Sequence, residues 1–134
     1  MAMKRVTGLG GVFFKAENVP AMREWYTKHL DIPTEEGGYG LFWWRDDAEP
    51  GKRGSTTWSL FKDTTEYFQP SNASFMINYR VNNLDELIET LKNEGVTIVG
   101  GIDEYDYGKF AWILDPEGNK IELWEPIDKP FEGS

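Results

Sequence analysis

Apolar and polar residues follow two different periods in the first half of the chain. The run at residues 11–15 is short and rich in aromatic residues, which predicts a strand, whereas apolar residues between Met22 and Leu30 recur at the spacing of one helix face. Asn18 is a favourable N-cap for this helix, and Pro20 fits its first turn because a proline there loses no hydrogen bond. Two β-rich runs, at residues 39–45 and 56–62, predict further strands on either side of a polar loop.

The second half repeats this order of elements. Residues 74–81 predict a strand, and Asn83 followed by Glu86 is a capping-box signature at the start of a helix. The leucine and isoleucine residues between Leu84 and Leu91 form one apolar helix face, and Gly95 is a favourable helix end. Three more strands are predicted at residues 96–100, 108–114 and 120–124, and the turn-forming segment 115–119 separates the last two.

This repetition predicts the organisation of the whole chain. The two helix caps, Asn18 and Asn83, are 65 residues apart, and strands flank each helix in the same order. We therefore predict a single domain over residues 1–134, with a first module at about 8–62, a connector at 63–73, a second module at about 74–125 and a tail at 126–134. Because each module carries its helix on one sheet face, the other faces are expected to cover each other or to pack against a second chain.

Composition narrows the classes of function. The sequence has 6 Trp, 6 Tyr and 8 Phe in 134 residues, more rings than a core of this size needs, so some are expected to line a cavity or an interface. The absence of cysteine excludes disulfides, thiolate metal sites and a cysteine nucleophile. The net charge of −9 disfavours nucleic acid and anionic membranes as partners. With no signal-peptide-like start and no apolar run long enough for a membrane span, a cytoplasmic location is expected.

Three segments resemble a known superfamily. They are the opening strand and helix start at 11–18, the restart at 76–81 and the closing hairpin at 115–124. Together they resemble the vicinal-oxygen-chelate superfamily, which contains glyoxalases, bleomycin-resistance proteins and dioxygenases. The resemblance implies an α+β fold in which two βαβββ modules form an open barrel around a central cavity. It also implies a homodimer, since members of this superfamily often complete their cavities across a two-fold axis.

The metal enzymes of this superfamily hold a divalent ion through four side chains inside the barrel. The resemblance places these four positions at Gly11, Ser59, Met76 and Glu122. Glycine has no side chain to donate, a thioether is a poor ligand for hard metals, and a serine hydroxyl is a weak neutral one. Only Glu122 matches the family pattern, so we expect no metal ion and no other cofactor.

Glu122 is the candidate catalytic residue. It lies in a predicted strand between Ile121 and Leu123, and alternation sends those two side chains to one face and Glu122 with Trp124 to the other. If Ile121 and Leu123 pack under a helix, Glu122 points into the cavity, where it could act as a general base or bind a cationic or hydroxyl-bearing ligand. The candidate ligand-binding residues are Phe13, Trp44, Ser59, Met76, Asn78, Glu122 and Trp124.

The sequence leaves the function open between several classes. One is a metal-independent protein that binds a small molecule in an aromatic pocket, similar to the bleomycin-resistance branch. Another is a metal-independent lyase, isomerase or hydrolase that uses Glu122 as general base. A metal-dependent glyoxalase or dioxygenase is disfavoured by Gly11, Ser59 and Met76, and a purely structural domain has no positive feature in the sequence.

Overall fold

The protein forms seven strands and two helices. The computed structural model describes residues 5–32, 39–45 and 51–127; the predicted tail lies outside these ranges from residue 128 onward. The elements are β1 (Val6–Ala16), α1 (Val19–Leu30), β2 (Tyr39–Arg45), β3 (Arg53–Lys62), β4 (Phe75–Val81), α2 (Leu84–Asn93), β5 (Thr97–Tyr105), β6 (Gly108–Leu114) and β7 (Lys120–Pro126). None of the described helices is long and apolar enough to cross a membrane.

The strands form one open, mixed sheet with the order β2-β3-β1-β4-β7-β6-β5. At its centre β1 and β4 pair antiparallel, and Val12 lies opposite Ile77. These two residues are 65 positions apart, the same offset as the two helix caps. A pseudo-two-fold axis through this pair therefore relates the two halves of the internal repeat. On either side of it, β3 runs parallel to β1 and β7 runs parallel to β4. The predicted α+β fold with two related modules is therefore confirmed.

The two modules differ at their outer edges. In the described residues, β2 is the edge strand on the side of the first module, whereas the second module continues beyond β6 to β5. The sheet is open, since β2 and β5 lie at opposite ends of the strand order.

The two helices are capped as the sequence predicts but pack very differently. The side-chain oxygens of Asn18 and Asn83 accept hydrogen bonds from the backbone N–H groups of Ala21 and Glu86. Helix α2 then buries one complete apolar face, which contacts β-strand residues of the second module; this core consists of Val81, Leu84, Leu87, Ile88, Leu91, Ala111 and Leu123. Helix α1 has no buried residue.

A second, smaller core lies around the connector. Phe68 has no solvent exposure and packs with Phe13 and Met76, and Phe61 and Trp112 flank this cluster. The connector thus contributes a buried ring, Phe68, that packs beside the candidate residues Phe13 and Met76.

Several strands are longer than local pattern predicts. β1 begins at Val6 rather than at residue 11, because its glycine-rich start pairs with β4, as in the pair Gly8 with Arg80. β3 begins at Arg53 rather than at residue 56, because Arg53 pairs with Arg45 across the hairpin. Cross-strand pairing, rather than residue preference, sets these boundaries.

Candidate functional site

A cavity of about 450 Å³ lies on the sheet face opposite α2. Ala111 and Leu123 pack against α2, so alternation along β6 and β7 sends Phe110, Glu122 and Trp124 to the cavity side. A volume of this size is within the range of small-molecule sites. The lining residues are Gly10, Phe13, Tyr39, Leu41, Ser55, Thr57, Ser59, Asn78, Tyr107, Phe110, Glu122 and Trp124.

Glu122 is buried at the floor of this cavity with 2% of its surface exposed. It pairs with Asn78 on the neighbouring strand, and the Asn78 amide nitrogen donates to Oε1 at 2.6 Å. Oε2 accepts two hydrogen bonds, one from the indole of Trp112 at 2.9 Å and one from the hydroxyl of Tyr67. Three neutral donors therefore hold the carboxylate in one orientation.

These contacts leave Glu122 little free capacity to accept hydrogen bonds. An ionised carboxylate has about four lone-pair sites, two on each oxygen. The Tyr67 and Trp112 donors fill both sites of Oε2, whereas Asn78 fills one site of Oε1. One acceptor site on Oε1 therefore remains unused.

Tyr67 comes from the connector and was not a candidate in the sequence. Burial raises the pKa of its hydroxyl well above the ordinary value, and the adjacent Glu122 charge raises that pKa further. Tyr67 therefore stays protonated and donates to Glu122 at any ordinary pH. Its ring stacks on Phe61 with an interplanar angle of 4°, which fixes the position of the hydroxyl.

Asn78 presents a second acceptor at the same place. Because its amide nitrogen donates to Glu122, its Oδ1 points the other way, and this buried oxygen has no hydrogen-bond partner in the described structure. Oδ1 lies over Gly10, where any Cβ would overlap it. The glycine thus makes room for an oxygen that lacks a donor, and an unsatisfied buried acceptor is costly.

Aromatic rings form one wall of the cavity. Phe110 and Trp124 stack with centroids 5.8 Å apart and an interplanar angle of 7°. Tyr107 meets Phe110 edge to face, and its carbonyl oxygen accepts a hydrogen bond from the Trp124 indole at 3.0 Å. These contacts hold the wall rigid, so a ligand would meet a preformed apolar surface.

The structure brings most of the candidate ligand-binding residues together. Those that line the cavity are Phe13, Ser59, Asn78, Glu122 and Trp124. Met76 lies beneath it instead, with no exposure, in the core cluster with Phe68.

Trp44 is not among the residues that line the cavity. On β2 the cavity-lining residues are Tyr39 and Leu41, so alternation turns Trp44 to the other face, where its ring lies over Gly54 and its indole donates to Thr56 at 2.9 Å. Tyr39, Leu41, Tyr107 and Phe110 were missed in the sequence. They lie in or beside runs that the sequence predicts as strands, but which face is internal depends on the strand register.

The residues at the four family metal positions do not fit a metal ion. The Phe13 ring covers Gly11, 2.7 Å from where a Cβ at that position would lie, and Met76 is enclosed in apolar side chains. Glu122 already accepts three protein donors, and Ser59 is a weak ligand. The described residues contain no group of three or more His, Cys, Asp or Glu that could hold a metal. His29, the only histidine of the sequence, is exposed on α1.

Comparisons with known proteins agree with this fold. Among solved structures, methylmalonyl-CoA epimerase from Mycobacterium tuberculosis is 20% identical, with a TM-score of 0.59 over 95% of this chain and 93% of the other. A Streptomyces coelicolor methylmalonyl-CoA epimerase variant in complex with 2-nitronate-propionyl-CoA is 11% identical, with a TM-score of 0.64 over 90% and 98%. A glyoxalase/bleomycin resistance protein/dioxygenase superfamily member from Vibrio splendidus 12B01 is 9% identical, with a TM-score of 0.57 over 87% and 98%. At such identities these likenesses concern the fold alone.

Sequence comparison gives the family directly. No curated protein matches the chain. The model of the Glyoxalase/Bleomycin resistance protein/Dioxygenase superfamily matches residues 9–123, most of the chain. The chain therefore belongs to this superfamily, the one that its three sequence segments resemble.

Proposed function

We propose that this protein binds a small organic molecule in the cavity above Glu122, without a metal ion. The observation that carries the proposal is the state of the Glu122 carboxylate, which three protein donors hold at the floor of an aromatic-walled space of about 450 Å³. In this arrangement Tyr67, Asn78 and Trp112 surround the carboxylate that matches the family's metal-ligand pattern. What remains is a preformed cavity lined by aromatic and apolar residues together with a few polar groups, which is typical of binding sites.

The same contacts favour binding over base catalysis. A general base must accept a proton on a free lone pair that points at the substrate. Both sites of Oε2 are taken by Tyr67 and Trp112, so this oxygen has no free lone pair for a proton.

A metal-independent enzyme is the second candidate, because Glu122 lines the cavity and its Oε1 accepts only one hydrogen bond. Two of the structural neighbours are named methylmalonyl-CoA epimerases, and epimerisation belongs to the isomerase class. On this alternative, Oε1 would remove a proton from the substrate and Asn78 would keep the carboxylate aligned.

The test is a ligand-observed NMR screen of small aromatic and heteroaromatic compounds, repeated on two variants. Ser59→Phe fills the cavity, whereas Ser74→Phe makes the same change at an exposed residue. We expect hits to bind the wild type and Ser74→Phe alike and to weaken at least about tenfold in Ser59→Phe. Hits that bind Ser59→Phe as tightly as the wild type would overturn the proposal.

The same samples separate binding from catalysis. Each hit is incubated with protein and followed by NMR for new signals or for exchange of its C–H protons with solvent deuterium. We expect no change in the ligand. Conversion or exchange that stops in Glu122→Gln, while binding persists, would establish the enzyme instead.

We further propose that the protein acts as a homodimer in the cytoplasm. Helix α1 supports a dimer, because it buries none of its residues while Trp25 and Leu30 are 51% and 57% exposed. A sequence without cysteine supports a reducing compartment.

A further inference from the structure

Two acceptor atoms with unused capacity belong to the paired residues Asn78 and Glu122 at the cavity floor. One is Asn78 Oδ1, which is buried and has no partner in the described structure. The other is Glu122 Oε1, which accepts a single hydrogen bond, from the amide of that same Asn78. A ligand that satisfies this pair has to bring donors, and a molecule with acceptors alone would place oxygen against oxygen.

The charge at the cavity floor is negative and has no ion-pair partner among the described residues. Lys120 interacts with it electrostatically, and the buried Arg80 guanidinium lies 5.0 Å from the ring centroid of Trp124, at the cavity wall. Glu122 is the only charged residue among those that line the cavity in the described chain. It forms no ion pair with a Lys, Arg or His of the described residues, and its donors Tyr67, Asn78 and Trp112 are all neutral. Lys120, on the same strand, directs its ammonium to the carbonyl oxygen of Tyr67 at 2.7 Å. An ammonium in the cavity would place an opposite charge beside this carboxylate.

The aromatic walls also favour a ligand that carries a positive charge. Phe110, Trp124, Tyr107 and Phe13 line the cavity, and the Trp124 ring already accepts one cation, the Arg80 guanidinium, 5.0 Å from its centroid. Such rings attract a positive charge through their quadrupole and also bury an apolar body. The cavity thus combines an anionic floor with walls that accept both the charge and the carbon skeleton of an organic cation.

We infer that the ligand is an organic ammonium: a protonated amine with an apolar or aromatic body, whose N–H groups donate to Glu122 Oε1 and Asn78 Oδ1. This inference rests on the proposed small-molecule binding function and names its ligand class. A protonated amine supplies two or three donors and one positive charge, which matches the two acceptors and the single carboxylate. A carboxylate or phosphate ligand would meet the Glu122 charge instead.

The test compares three probes of nearly equal size: phenethylammonium, phenethyl alcohol and hydrocinnamate. Dissociation constants are measured by NMR titration of the full chain at neutral pH and constant ionic strength. We expect phenethylammonium to bind at least about tenfold more tightly than phenethyl alcohol, and hydrocinnamate more weakly than either. This comparison needs only the wild-type protein.

Variants then show whether the preference for phenethylammonium arises in the cavity or at the protein surface. Because the net charge of −9 attracts any cation to the surface, the preference has to disappear in Ser59→Phe, which keeps the charge and fills the cavity. It has to disappear also in Glu122→Gln and to persist in Glu117→Gln, which removes an exposed carboxylate. Thermal melts of each variant show that the fold is retained.

The outcomes distinguish this inference from the function on which it rests. Equal binding of the amine and the alcohol, both lost in Ser59→Phe, would overturn the ammonium assignment and leave cavity binding intact. A preference that survives in Ser59→Phe or in Glu122→Gln would mean surface attraction and would overturn the assignment too. Failure of all three probes would overturn it as well, while the wider compound screen decides the proposed function separately.

Discussion

At the scale of single residues, the Tyr67 hydroxyl and the Glu122 carboxylate depend on each other. The carboxylate is almost fully buried, and Tyr67 supplies one of the two hydrogen bonds that its Oε2 accepts. Replacing Tyr67 by Phe keeps the ring stacked on Phe61 but removes this donor. The site therefore offers a substitution that changes one hydrogen bond and little of the packing.

We expect Tyr67→Phe to lower the free energy of unfolding at neutral pH by about 1–2 kcal/mol, because a buried charged acceptor loses a donor. Urea unfolding measures this change. Tyr79→Phe, in the α2 core, removes a phenol hydroxyl elsewhere in the sheet and serves as the matched control. Equal stability of the Tyr67→Phe variant and the wild type would mean that the Tyr67 contact contributes nothing.

The same residue gives a prediction at alkaline pH. The pKa of Tyr67 is raised in the folded protein, so above about pH 10 the unfolded chain loses a proton that the folded chain keeps. The stabilising contribution is therefore fully present below pH 10 and is lost as the pH rises further. Urea unfolding at pH 9 to 11 should show a flatter decline for Tyr67→Phe than for the wild type, and parallel curves would contradict the raised pKa.

Sequence alone could give Glu122 and Asn78 as candidates but not the hydrogen bonds around them. The closing hairpin and alternation around Ile121 and Leu123 point to an inward-facing carboxylate, and Leu123 does pack in the α2 core. Tyr67 lies in a connector with no helical or strand period, so nothing local indicates that its hydroxyl reaches β7. The unpaired Oδ1 of Asn78 over Gly10 is likewise a tertiary feature, set by the pairing of β1 with β4.

At the scale of elements, the two helices contribute unequally to the stability of the fold. In α2 the apolar residues lie on one face and fill a core with β6 and β7. In α1 the apolar residues recur with helical spacing, yet none is buried in the single chain. Spacing and caps predict that both helices form, but they do not show what each helix packs against.

This difference predicts the effects of a matched pair of substitutions. Leu87→Ala removes a side chain that is 3% exposed and should cost about 2–5 kcal/mol, whereas Leu30→Ala, at a residue 57% exposed, should cost less than about 0.5 kcal/mol in the single chain. Urea unfolding at two protein concentrations measures both. If α1 lies in a homodimer interface, the cost of Leu30→Ala rises with protein concentration; a cost that does not change excludes α1 from such an interface.

At the scale of the whole molecule, the repeat determines where a central site can lie. The pseudo-two-fold axis at Val12 and Ile77 places β1 beside β4, with β3 and β7 outside them, so the residues of both modules meet on one sheet face. Sequence reveals this arrangement because the offset of 65 residues recurs in the caps and in the register. The connector completes the site, since Phe68 packs on Met76 and the Tyr67 hydroxyl donates a hydrogen bond to Glu122.

From this arrangement we expect the purified, tag-free protein to contain far less than one metal ion per chain by elemental mass spectrometry. Aromatic packing over Gly11 and around Met76 removes two of the four family ligand positions, and Glu122 is engaged with three protein donors. The melting temperature should therefore be the same with a chelator and with added zinc, nickel or manganese. Glu122→Gln is the matched control, since an ion held at the family position would be lost from that variant and an adventitious one would not. One ion per chain that raises the melting temperature by mass action, and that disappears in Glu122→Gln, would show that the cavity rearranges around a metal and would return this chain to the metal-dependent members of its family.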